Sequence, residues 1–142
     1  MATTIYRPAV PQHRAALTVL RLTVVGLTLA TAAIHAKLGG PLFTLNAIGY
    51  TSLALLLVVP GPFARLRWLV RLALMGFALT TIGGWALFGA RFPLAYFDKA
   101  IELVLVVTLT VEVWVVDGGP IEIARRVRDH VAATRALLRG KP

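Results

Sequence analysis

Four long apolar stretches, separated by short clusters of glycine, proline and charged residues, set the pattern of the chain. At about residues 15–36, 42–59, 69–88 and 96–116 the side chains are apolar over close to the ~20 residues that a helix needs to cross a hydrocarbon core. The breaks between them carry turn chemistry: Lys37-Leu38-Gly39-Gly40-Pro41, then Pro60-Gly61-Pro62, then Gly89-Ala90-Arg91-Phe92-Pro93, then Asp117-Gly118-Gly119-Pro120. From 121 to 138 the rhythm changes. Ile123, Ala124, Val127, Val131, Thr134 and Leu138 fall on one helical face and Glu122, Arg125, Asp129 and Arg139 on the other, the pattern of a basic amphipathic helix. The expected fold class is all-α: a bundle of four transmembrane helices (15–117) between a short N-terminal segment (1–14) and a C-terminal basic amphipathic helix with its tail (118–142).

Composition agrees with a membrane setting. The 142 residues are 58% hydrophobic and 15% charged, with a mean hydropathy of +0.78, too apolar for an ordinary soluble domain of this size. Cysteine is absent, which excludes disulfides and thiolate metal sites. The net charge of +9 would suggest nucleic acid in a soluble protein. Here it sorts by side of the membrane instead, and no nucleic-acid partner is expected. With both termini inside, Arg7, Arg14, Arg65, Arg67, Arg125, Arg126, Arg128, Arg135, Arg139 and Lys141 are cytoplasmic, Arg21 and Arg71 lie near that face, and Lys37, Arg91 and Lys99 are outside. That distribution fits the positive-inside rule and a multi-pass protein of a cell membrane. The first stretch competes with a signal peptide ending near Ala33 or Ala36, but it is longer than a usual signal core, which favours an uncleaved anchor. Arg125, Arg126, Arg128, Arg135 and Arg139 suit an anionic inner leaflet, where each basic residue near the surface contributes about 1 kcal/mol.

Polar residues inside the apolar stretches are the candidates for chemistry or register. Arg14, Arg21, Thr28 and His35 recur every seven residues in the first, and Asp98, Leu105 and Glu112 do so in the fourth, with Glu102 one turn in from Asp98. Two such helices running antiparallel would bring Arg21 to Glu112 and, fourteen residues or about 21 Å away, His35 to Asp98 or Glu102. Arg71 is a rival for Glu112, but it lies opposite Gly76, Thr80 and Gly84 and can snorkel to lipid phosphates. Asn46 and Tyr50 belong at the depth of His35 and complete an outer polar set of His35, Asn46, Tyr50, Asp98 and Glu102. Intramembrane acids and imidazoles mark proton, ion or ligand paths, or fix the register of helices that have little hydrophobic reason to choose a partner. His35, Asp98 and Glu102 could hold a divalent metal, although their spacing is not characteristic, and neither metal nor cofactor is expected. Gly76, Thr80 and Gly84 form a small-residue stripe suited to close helix contact, inside the chain or between chains. No nucleophile elbow, phosphate loop or HExxH pair is present.

The run from His35 through GGPLFTLNAIGY (Gly39 to Tyr50) resembles a pattern in small, uncharacterised bacterial membrane proteins, over about fifteen residues. In size, span count and a polar first helix the chain is also similar to DoxX-like four-span proteins. These resemblances imply membrane class and a bacterial inner membrane, and no residue role. The expected function is non-enzymatic: an accessory or scaffold subunit that packs as a homo-oligomer or within a larger membrane complex. The alternative is a small oligomeric transporter or proton-linked ligand-binding protein using His35, Asp98 and Glu102.

Overall fold

The computed structural model describes residues 11–61, 64, 66–138 and 140. Five helices make up nearly all of this: α1 (Pro11–Leu38), α2 (Pro41–Val58), α3 (Arg67–Phe88), α4 (Pro93–Asp117) and α5 (Pro120–Leu138), with no strand among the described residues. Proline opens α1, α2, α4 and α5. At the first helical position its missing N–H would be unpaired anyway and its fixed φ already suits the helix. This explains why α1 starts at Pro11 and α4 at Pro93, each earlier than the apolar pattern alone suggests. At the other end of α4, Gly118 takes the left-handed conformation (φ 82°) and the Gly119 N–H donates to the Val113 carbonyl at 3.2 Å, a helix stop that leads directly into Pro120.

α1 packs against α2 and α4, and α3 packs against α2 and α4, so the four helices close a ring. Its centre holds Val24, Ala32, Tyr50, Leu57, Leu74, Ala78, Leu105 and Leu109. The polarity is inverted relative to a soluble bundle. Thr28, Thr31, His35, Arg71, Asp98, Lys99, Glu102, Glu112 and Asp117 are buried, whereas Val19, Leu45, Ile48, Leu79, Leu87, Val107 and Trp114 are exposed. Between apolar helices in lipid, hydrophobic burial discriminates little, so buried polar contacts and close packing decide which faces meet.

Three segments are long and apolar enough to cross a membrane: Ala15–Leu38 within α1, then α2 and α3. α4, expected as a fourth, has the length at 25 residues but carries Asp98, Lys99, Glu102, Glu112 and Asp117, and so falls short on apolarity. All five of those side chains are buried. α5 leaves the ring and touches α4, with Ile123 buried and Ile121, Val127 and Val131 exposed. Of the basic residues sorted above, Arg7, Arg65, Arg139 and Lys141, together with the side chain of Arg14, lie outside the described residues, as does the side chain of Leu138.

Candidate functional site

Two polar clusters lie at opposite ends of the α1–α4 seam. One, at the end that the sequence reading puts outside, is built on the last turns of α1 and the first turns of α4. Asp98 and Glu102 are one turn apart on α4 and face inward with Leu105 and Leu109, while Thr31 and His35 are one turn apart on α1 and face them. The Thr31 hydroxyl donates to Asp98 Oδ1 at 2.6 Å and lies 3.4 Å from Glu102 Oε1. Tyr50, from α2, donates to Glu102 Oε1 at 2.8 Å, and its oxygen is 2.9 Å from the Thr81 hydroxyl of α3. All four helices of the ring therefore contribute to one network.

A single ammonium serves both carboxylates: Lys99 Nζ is 3.0 Å from Asp98 Oδ2 and 2.5 Å from Glu102 Oε2. His35 Nδ1 lies 2.9 Å from the Thr31 carbonyl and 3.7 Å from Asp98 Oδ1. Since a carbonyl only accepts, Nδ1 carries the hydrogen and Nε2 remains the basic nitrogen, with no hydrogen-bond partner among the described residues. One atom from each of His35, Asp98 and Glu102 could converge on a metal, the three lying within 4.8 Å of one another. The arrangement does not fit a divalent ion well, because the Lys99 ammonium already fills the space between the two acids.

Above this network lies a cavity of about 470 Å³, within the ordinary range for small-ligand sites. His35, Asp98 and Lys99 form its polar floor, and Phe43, Trp85 and Phe92 belong to its largely apolar wall. Asn46, half-buried, also lines it and makes no hydrogen bond among the described residues. Glu102 and Tyr50 lie below the floor, sealed at 0% exposure. Beside the wall, Trp85 stacks edge-to-face on Tyr96 (5.2 Å between centroids) and carries the Arg91 guanidinium 4.3 Å above its ring.

At the opposite end of the seam, which the sequence reading puts inside, Glu112 Oε1 receives Arg71 at 3.0 Å and Arg21 at 3.7 Å. Arg71 also reaches Asp117 Oδ2 at 2.9 Å, and Arg126 of α5 approaches the other Asp117 oxygen at 3.5 Å. Arg71 is thus not a snorkelling residue. It shares its face of α3 with Leu74 and Ala78, and at 2% exposure it is held inside the ring by two carboxylates of α4. Gly76, Thr80 and Gly84 are exposed, and Thr80 and Gly84 also line the cavity.

The structure brings His35, Tyr50, Asp98 and Glu102 into one network and puts Asn46 on the cavity above it. Thr31, Thr81 and Lys99 also belong to the network, and Arg71 and Asp117 to the inner cluster. Lys99 had a local signal, since Asp98-Lys99-Ala100-Ile101-Glu102 places it three residues from Glu102, a spacing that lets side chains meet on a helix. Thr31 and Thr81 had none beyond their polarity. The chain matches no family model, no curated protein and no solved structure, so the reading rests on the site's own chemistry.

Proposed function

We propose that this chain is a four-span protein of a bacterial inner membrane, with both termini cytoplasmic, that binds a small amphiphilic molecule in the outer pocket with proton exchange at His35. The observation that carries the reading is a buried imidazole, with one nitrogen free, in the polar floor of a largely apolar cavity. Sealed rungs that only fixed helix register would need no such opening. A fourth span is supported by α4 itself: its charges turn into the ring while Leu103, Val104, Val107, Val111 and Val115 are exposed where lipid would be. The basic side chains of α5, next to exposed Val127 and Val131, suit the anionic inner leaflet.

The test is native mass analysis of the full chain purified in mild detergent. A small molecule retained by the parent chain and lost in His35→Ala and Trp85→Ala supports the pocket. A second reading, an accessory subunit, is favoured by the exposed stripe of Gly76, Thr80 and Gly84, where a partner helix would cover the side of the cavity that Thr80 and Gly84 line. Other membrane proteins recovered in fixed ratio, with no small molecule in the pocket, would replace the first reading by the second.

A further inference from the structure

Resting on that pocket reading, we infer that the ligand is an organic monocation with an apolar body, and that it exchanges with a proton. The argument begins with formal charge. Asp98 and Glu102 are two carboxylates, both buried, and the nearest cation is Lys99, which contacts both. With His35 neutral the four side chains sum to one negative charge. Thr31 and Tyr50 donate hydrogen bonds to the acids, which distributes that charge without cancelling it. An uncompensated charge among side chains this buried is unfavourable, so the network favours holding one further positive charge.

Every ionisable group around the cluster enters the balance. α1 contributes His35 and, on its exposed side, Lys37; α2 contributes Tyr50, which stays neutral while it donates to Glu102; α4 contributes Asp98, Lys99 and Glu102. From α3 the facing polar group is Thr81, which does not ionise, and Arg91 after it is exposed, bound to the Trp85 ring and the Ala86 carbonyl. Lys37 and Arg91 stand where water and salt screen them, whereas the cluster is shielded. The missing charge therefore belongs at the cavity floor.

Two carriers can supply it. A proton, on the free Nε2 of His35 or on one of the two carboxyl groups, neutralises the site when the cavity is empty. A cation in the cavity does the same when it is filled, and its body meets aromatic faces at Phe43, Trp85 and Phe92, which suit cations electrostatically as well as by area. Both at once would leave a net positive charge. Proton and ligand therefore compete, and binding must weaken as pH falls.

Calorimetry on the full chain in mild detergent tests this, with tetraphenylphosphonium as the cation, triphenylphosphine oxide as its neutral counterpart and tetraphenylborate as the anion. Repeating each titration in buffers of different ionisation heat counts the protons released. We expect saturable binding of the cation at least about tenfold tighter than either counterpart, release of about one proton per cation, and weaker binding at lower pH. Asp98→Asn should abolish the preference for charge, and Lys99→Gln, which leaves a further negative charge in the site, should strengthen cation binding. The parent-chain comparison needs neither variant to fold. Equal binding of the neutral compound with no proton release overturns the cation inference and leaves the pocket reading standing. Failure of all three probes overturns the inference as well, and the pocket reading falls with it if native mass analysis also finds no bound small molecule.

Discussion

The Arg71 guanidinium is held by Glu112 and Asp117 at 3.0 and 2.9 Å, and its removal leaves these two buried carboxylates only the longer contacts of Arg21 at 3.7 Å and Arg126 at 3.5 Å. Breaking a buried pair from one side costs about 3–5 kcal/mol, because the remaining charge has lost its partner. We expect Arg71→Met to lower stability by about that amount in thermal unfolding in detergent. Arg21 touches the same Glu112 oxygen but at 3.7 Å and with its side chain 36% exposed, so Arg21→Met should cost under about 1 kcal/mol. Equal losses for the two would show that Arg71 is not the principal partner of Glu112. In the outer network, Tyr50→Phe deletes the hydroxyl that donates to Glu102 and should cost about 1–3 kcal/mol. That loss should shrink in a Glu102→Gln background, which a double-mutant cycle would measure. These residues were not equally legible. The seven-residue spacing of Arg21, Thr28 and His35 against Asp98, Leu105 and Glu112 fixes a register, and the contacts Arg21–Glu112 and His35–Asp98 occur at its two ends. Arg71 was illegible because an arginine near a helix end can snorkel or turn inward, and only the orientation of α3 decides which.

Between elements, the α2–α3 seam closes on a single glycine beneath the polar network. Gly49 of α2 faces the Phe77 ring so closely that a Cβ there would lie 2.6 Å from Phe77 Cζ. Phe77 in turn stacks edge-to-face on Tyr50, with centroids 4.8 Å apart, and Tyr50 anchors Glu102. Gly49→Ala should therefore push Phe77 against Tyr50 at a cost of about 1–3 kcal/mol. Gly49→Ala combined with Phe77→Leu should recover much of it in the same unfolding assay. Failure of the second change to rescue would mean that the cost of Gly49→Ala does not arise at the Phe77 ring. The sequence drew attention to a different set of small residues on α3, Gly76, Thr80 and Gly84, and these are exposed. Spacing identifies a face that permits close approach, but it does not say which neighbour uses it. Gly49, which meets a ring across the α2–α3 seam, belongs to no repeat that would announce it. Helix limits were legible for a simpler reason: proline and glycine act through their own backbone restrictions, whatever the tertiary context.

On the scale of the whole molecule, orientation in the bilayer determines what each cluster can reach. In the proposed topology the exposed Lys37 and Arg91 lie on the outer side, whereas Arg67 and the basic side chains of α5 face the cytoplasm. The natural absence of cysteine makes the arrangement directly readable, since any thiol introduced is the only one in the chain. Arg91→Cys and Arg128→Cys both change exposed positions. In intact cells stripped of their outer barrier, a membrane-impermeant maleimide should label the first and not the second, and permeabilisation should expose the second. This outcome requires an odd number of crossings between the α3–α4 loop and α5, which only α4 can supply. It therefore tests together the orientation and the status of α4 as a span. Labelling at both positions in intact cells would leave α4 lying at the outer surface, its five charges no longer inside a bilayer, and the charge balance behind cation exchange would then be open to water.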